Sequence, residues 1–142
     1  MTSPIIQRDI VTACNIEITK AIIKELNGDY FAMLVDESFD TSRKEKMDIV
    51  LRYVGRMRFM MEQRIDVLHI QNTNASSLNS AIVNLLAQHS LSLSYMHGQC
   101  YDGAINIQGD INGLKILIKR DSRSAHPIHY FLINFNLPLL RF

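Results

Sequence analysis

Tyr30-Phe31-Ala32-Met33-Leu34-Val35-Asp36 and Leu93-Ser94-Tyr95-Met96-His97-Gly98-Gln99-Cys100-Tyr101-Asp102 are two apolar runs, and each ends on an aspartate. A carboxylate at the carboxyl edge of a buried strand is costly unless it is solvated, paired or bound to a cation. Open α/β sheets place their ligands at that same edge. Two such strand ends, if neighbours, offer two oxygen donors to one hard cation, Mg²⁺ or Mn²⁺. The order of the strands therefore decides whether the two motifs form one site.

Working outward, Ser3-Pro4 reads as a helix start, with a capping hydroxyl and a proline at the first helical position. Val11, Cys14, Ile18 and Ile22 recur at helical spacing until Asn27-Gly28, a natural stop. A strand over Tyr30–Asp36 follows, then a polar loop over Glu37–Lys46. In the next strand, Met47–Val54, the residues Ile49, Leu51 and Tyr53 share one face. Gly55–Arg58 turns the chain into a third strand, Glu62–Ile70, and the short connections predict an antiparallel meander. Asn72–Ser76 caps a helix whose apolar stripe is Leu78, Ile82, Leu85 and Leu86. A fourth strand, Leu91–Tyr101, comes next. The following helix, Asn106–Lys119, carries Ile107, Ile111, Leu114 and Ile118 on one face, and Gly109 and Gly113 on another, where close approach to the sheet is expected. A fifth strand begins at Ala125. The crossover through the Leu78–Leu86 helix lays strand four parallel to a meander strand. If that neighbour is strand one, Asp36 and Asp102 end side by side.

With 142 residues the chain has the length of a single domain, and its 47% hydrophobic content argues against global disorder. The net charge of +1 points to no partner. Locally the balance differs. From Thr41 to Arg64 there are seven basic residues (Arg43, Lys44, Lys46, Arg52, Arg56, Arg58, Arg64) against three acidic ones (Glu45, Asp48, Glu62). Such an excess suits a phosphate backbone; solvated strand edges and a polar loop are the plainer account. Cys14 and Cys100 are too few for a disulfide framework, which points to a reducing, intracellular compartment. No apolar stretch is long enough to span a bilayer and the N-terminus lacks the form of a signal peptide, so no membrane partner is expected.

Several ordered blocks carry a family resemblance: Asn27-Gly28-Asp29-Tyr30 through Asp36-Glu37-Ser38-Phe39-Asp40, then Val50-Leu51-Arg52-Tyr53-Val54, then Gly98-Gln99-Cys100-Tyr101-Asp102-Gly103-Ala104-Ile105-Asn106, with Gly113-Leu114 beyond. Together they resemble the hAT-superfamily transposases, and more closely the plant zinc finger MYM-type protein 1-like proteins related to them. The resemblance covers about residues 3–129, with 130–142 a divergent tail. It implies the N-terminal half of an RNase H-like domain, an α/β fold with a mixed five-stranded sheet and flanking helices. It also implies a nuclear location and metal-dependent DNA cleavage and strand transfer, in which Asp36 and Asp102 take the places of the first two catalytic aspartates and hold Mg²⁺ or Mn²⁺.

The family's third acid, a glutamate far downstream, has no counterpart in these residues. The expectation is therefore a catalytically inactive, truncated fragment that retains weak metal and DNA binding, with Arg43, Lys44, Lys46, Arg52, Arg56 and Arg58 as the contact residues. Glu37 follows Asp36 along an extended strand and faces the other way, so it does not complete the triad. His97, Cys100, His126 and His129 imitate a zinc set, but positions three apart in a strand face opposite sides, and no zinc is expected. The alternative is a domesticated protein–protein interaction module without catalysis, which associates with itself or with a related transposase-like chain.

Overall fold

Local chemistry at Ser3 starts the first element. The structure, a computed structural model, describes residues 3–39, 45–71, 74–101 and 108–128. The Ser3 hydroxyl accepts the Ile6 N–H at 3.3 Å, Pro4 occupies the first turn, and α1 (Pro4–Leu26) ends where Asn27 takes a left-handed conformation at φ 52°. The remaining elements are β1 (Phe31–Phe39), β2 (Glu45–Val54), β3 (Met60–His69), α2 (Ala75–Gln88), a 3₁₀ turn (Leu93–Tyr95), β4 (Met96–Tyr101), α3 (Gln108–Asp121) and β5 (His126–Pro127).

The five strands form one mixed sheet in the order β3-β2-β1-β4-β5. β1, β2 and β3 are the expected antiparallel meander, β4 lies parallel to β1, and β5 parallel to β4. This is the α/β architecture with a mixed five-stranded sheet that the sequence predicts. Alternation along the strands divides the sheet into two unlike faces. Phe31, Met33 and Val35 of β1 and Ile49, Leu51 and Tyr53 of β2 are buried on one face, against Ile22 and Leu26 of α1, the four stripe residues of α2, and Leu114 and Ile118 of α3. The other face carries a smaller cluster of Leu34 and Cys100, with Val50 and Ile128 against it. Among the described residues, no helix side chain belongs to that second cluster.

Several expectations require correction. β1 does not stop at Asp36, because the ladder to β2 continues through Glu37↔Met47, Ser38↔Lys46 and Phe39↔Glu45. The fourth strand starts at Met96 rather than Leu91. Ser92 accepts the Ser94 N–H and diverts the chain into a 3₁₀ turn first. Gly113 serves a helix–helix contact rather than a helix–sheet one: a Cβ there would lie 3.0 Å from Ala75 Cβ on α2. The largest departure concerns α1. Of the stripe Val11, Cys14, Ile18 and Ile22, only Ile22 is buried, while Val11 and Ile18 are 59% and 56% exposed. Ile107 lies outside the described residues.

Two polar contacts lock the helices to the sheet. The fully buried Gln99 of β4 donates from Nε2 to the carbonyls of Lys115 (3.1 Å) and Ala125 (2.9 Å), and its Oε1 accepts the Tyr101 hydroxyl at 2.7 Å. Both donors and the acceptor oxygen of that amide thereby find a partner, on α3, just before β5 and on β4, which is the condition under which a buried amide is tolerated. At the other end of the sheet, the Tyr53 hydroxyl donates to Glu25 Oε2 at 3.0 Å. Gly55 makes room for that carboxylate, since a Cβ there would sit 2.7 Å from Glu25 Oε1.

Replacement of Gln99 by leucine leaves the buried Ala125 carbonyl and the Tyr101 hydroxyl without this partner, and each unsatisfied group costs about 1–3 kcal/mol. Urea denaturation of Gln99→Leu is expected to show a loss of at least ~2 kcal/mol at an unchanged slope. Burial, followed by the hydrogen bond to Glu25 and its charge, pushes the Tyr53 phenol up to about 12. Burial also pushes Tyr101 upward. A group whose pKa is raised on folding contributes stability that is complete below its unfolded value, near 10, and is lost as pH rises toward the folded value. Stability is expected to fall from about pH 10 toward about pH 12, and Tyr53→Phe to flatten that decline without abolishing it, because Tyr101 remains. A decline identical in Tyr53→Phe contradicts the assignment.

Candidate metal-binding edge of the sheet

The parallel register between β1 and β4 sets the geometry of the site. Leu34 pairs with Cys100 and Val35 with Tyr101. Asp36 follows Val35 directly, so it lies beside the carboxyl end of β4, the position that the strand-order argument requires. Asp102 follows Tyr101 in the sequence and lies outside the described residues. The expectation that strand four runs parallel to a meander strand holds, and the strand it pairs with is β1.

Side-chain alternation places Asp36 on the same face as Leu34, opposite the helices. Asp36 is exposed, so its charge stays solvated at little cost. On its other side Asp36 pairs in register with Asp48 of β2. Residues directly opposite in an antiparallel pair share a face, and like charges there repel. Arg64 of β3 offsets part of that repulsion, its Nη1 lying 3.6 Å from Asp48 Oδ1. Sequence reasoning counted Asp48 only as one acidic residue in a basic stretch. The signal that would have found it is the meander register itself, which a two-strand alignment of Phe31–Asp36 with Asp48–Tyr53 supplies.

The donor set suits a hard cation, since carboxylate oxygens are the ligands Mg²⁺ and Mn²⁺ prefer. Among the described residues, no group of three or more His, Cys, Asp or Glu side chains is assembled closely enough to hold a metal ion. The histidines of the zinc-like set are placed otherwise. His97 stacks on Tyr30 with ring centroids 3.8 Å apart, and His126 contacts the Lys119 ammonium. Cys100 is buried, and His129 lies outside the described residues.

Among the described residues, the basic candidates do not form one surface. Lys46 lies near the Asp36 end of β2, while Arg56 and Arg58 sit in the β2–β3 turn. Val54, at the foot of that turn, is six residues along β2 from Asp48, about 20 Å at the rise of an extended strand. Arg52 is largely covered, and its Nε lies 3.4 Å from Glu62 Oε1. Arg43 and Lys44 lie outside the described residues.

With this geometry in hand, comparison with known proteins places the chain in a family. Residues 1–113 match the model of DUF4371, described as the ZMYM1/FAM200 RNase-like domain, and the chain belongs to that family. The observed α/β fold, with its mixed sheet flanked by helices, is consistent with an RNase-like domain. Among solved structures, YeaZ from Pseudomonas aeruginosa aligns with a TM-score of 0.40 at 16% identity, over 70% of this chain. This chain spans 43% of that protein's length.

Proposed function

We propose that this chain is an RNase H-like domain of hAT-transposase descent, in which Asp36 and Asp102 are the inherited metal ligands. The observation that carries the reading is the parallel β1–β4 pairing, which ends on Val35↔Tyr101 with an aspartate following each. Membership of the ZMYM1/FAM200 RNase-like family supports it at the level of the domain.

In this reading Asp36 and Asp102 supply carboxylate oxygens from adjacent strands, and Asp48, held by Arg64, adds negative potential beside them. A bound pair of Mg²⁺ or Mn²⁺ ions supplies activation of a water or 3′-hydroxyl and stabilisation of a leaving oxygen at a phosphodiester. Two aspartates alone fix such a pair poorly, so this 142-residue chain by itself binds metal weakly and does not cleave DNA. Lys46, along the sheet from Asp36, is the DNA-contacting residue at this edge, with Arg43 and Lys44, which precede it in sequence, and Arg56 and Arg58 as further contacts. A nuclear location follows from the same descent.

Two experiments test the reading. Mn²⁺ titrated into the labelled protein is expected to broaden amide resonances around Asp36, with a dissociation constant on the order of 10⁻⁴–10⁻³ M, and Asp36→Asn to abolish the effect. Broadening unchanged by Asp36→Asn removes the assignment. Supercoiled plasmid incubated with the protein and Mn²⁺ is expected to remain intact; nicking that disappears in Asp36→Asn shows that the chain is an active nuclease. DNA binding is expected to be weak and steeply salt-dependent, as backbone contacts are. Absence of binding at low salt rejects the DNA-contact part.

A further inference from the structure

Most helices of small domains bury one stripe and expose the rest. α1 exposes aliphatic side chains around its circumference: Ile5 is 70%, Ile6 49%, Ile10 53%, Val11 59%, Ile16 49% and Ile18 56% exposed. Only its last turns, at Ile22 and Leu26, reach the core. Beside it runs a cleft of about 640 Å³, lined on the α1 side by Thr12, Ile16, Thr19 and Ile23 and on the far side by Ile65 and His89. The cleft also carries Lys20, Lys24 and Asp66, so it joins an aliphatic floor at Ile16, Ile23 and Ile65 to a charged rim; exposed aliphatic surface of this kind is one from which water is readily displaced.

We propose that α1 is a self-association element, which packs antiparallel against α1 of a second copy along this cleft. Three observations select a second copy as the occupant. First, Ile5, Thr12, Ile16, Thr19 and Ile23 follow at intervals of seven, four, three and four residues, the spacing of a helix–helix seam. Thr12 suits that seam because its hydroxyl already donates to the Arg8 carbonyl at 2.9 Å and so needs no partner across it.

Second, the charges are self-complementary. A two-fold axis near Cys14 sets Ile5 against Ile23 of the second copy and Thr12 against Ile16. The same register brings Lys20 to within one residue of the position opposite Asp9, within reach of its carboxylate, twice by symmetry. Among the described residues Asp9 has no ion-pair partner. Lys20 has only the exposed contact to Glu17 at 3.3 Å, which contributes little by itself.

Third, the area fits a weak contact. A helix of 23 residues is about 34 Å long and about 10 Å across. Half its lateral surface from each copy is at most about 1,100 Å² in total, and the last turns already packed on the core bring this to the low end for a specific interface. The expected dimer is therefore weak and concentration-dependent. It stands independently of the metal-site reading, since Asp36 lies on the face of the sheet away from the helices.

Sedimentation velocity of the full chain over a dilution series, in reducing agent, tests this. A reversible monomer–dimer equilibrium is expected. Ile16→Glu is expected to raise the dissociation constant at least tenfold. Asp9→Lys and Lys20→Asp are each expected to weaken the dimer roughly tenfold, and Asp9→Lys/Lys20→Asp to restore it to within about threefold of the parent. The two charge variants alter exposed side chains, so the test survives should Ile16→Glu fail to fold. Cys14 lies about 200° around the helix from Thr12 and Ile16, so the dimer does not depend on a disulfide there. A monomer at every concentration, a dimer dissolved by reduction, or a double variant no tighter than the single ones overturns the proposal.

Discussion

Parallel pairing of β1 with β4 is the constraint on which the rest depends. Parallel neighbours cannot be joined by a hairpin, so a crossover must carry the chain from the meander back to the far side of β1. α2 performs that return, and its stripe of three leucines and one isoleucine is buried in the core as it does so. Without the pairing, β1 would be an edge strand and the two aspartate-terminated runs would have no common end. With it, β1 is hydrogen-bonded on both sides, to β2 and β4, and the carboxyl edge of the sheet gains two adjacent strand ends.

Gln99 explains why that pairing holds a defined register at β4. A six-residue strand has few ladder bonds of its own. The Gln99 amide adds bonds to α3 and to the start of β5, and the Tyr101 hydroxyl closes the set from two residues further on. On the opposite side Gly98 accepts the Ile128 side chain, whose Cδ1 occupies the place where a Cβ would stand. The strand that ends at the candidate site is thus gripped from both faces just before it arrives there. Ser122 and Ser124 hold its beginning, through hydroxyl bonds to the carbonyls of Leu93 and Met96.

Much of this was legible in the sequence where one local pattern admitted one answer. Leu78, Ile82, Leu85 and Leu86 fall on a single stripe, and all four are buried. Ile49, Leu51 and Tyr53 alternate, and all three face the core. α1 was legible as a helix, through Ser3-Pro4 and Asn27-Gly28, but not in its burial. Its aliphatic residues lie all round the helix, so the Val11–Ile22 spacing is one of several stripes that fit equally, and only tertiary contact selects among them. Gly113 was recognised as a point of close approach, yet its neighbour Ala75 is 38 residues away and no local rule names it. Asp48 was missed for a related reason: its significance arises from register with Asp36 across the meander rather than from its own neighbours.

The period-two alternation that builds the core also assigns the site its face. Burial of Phe31, Met33 and Val35 against the helices obliges Leu34 and Asp36 to point away from them. A one-residue slip of β1 would bury Asp36 under α2 and α3 and expose the core residues, so the register is specified by the strongest term in folding. Asp36 consequently stands in solvent, where its charge carries little desolvation penalty and is accessible to a cation or to a phosphate-bound ion. Apolar packing on one side of the sheet and an exposed carboxylate on the other are two consequences of the same alternating sequence.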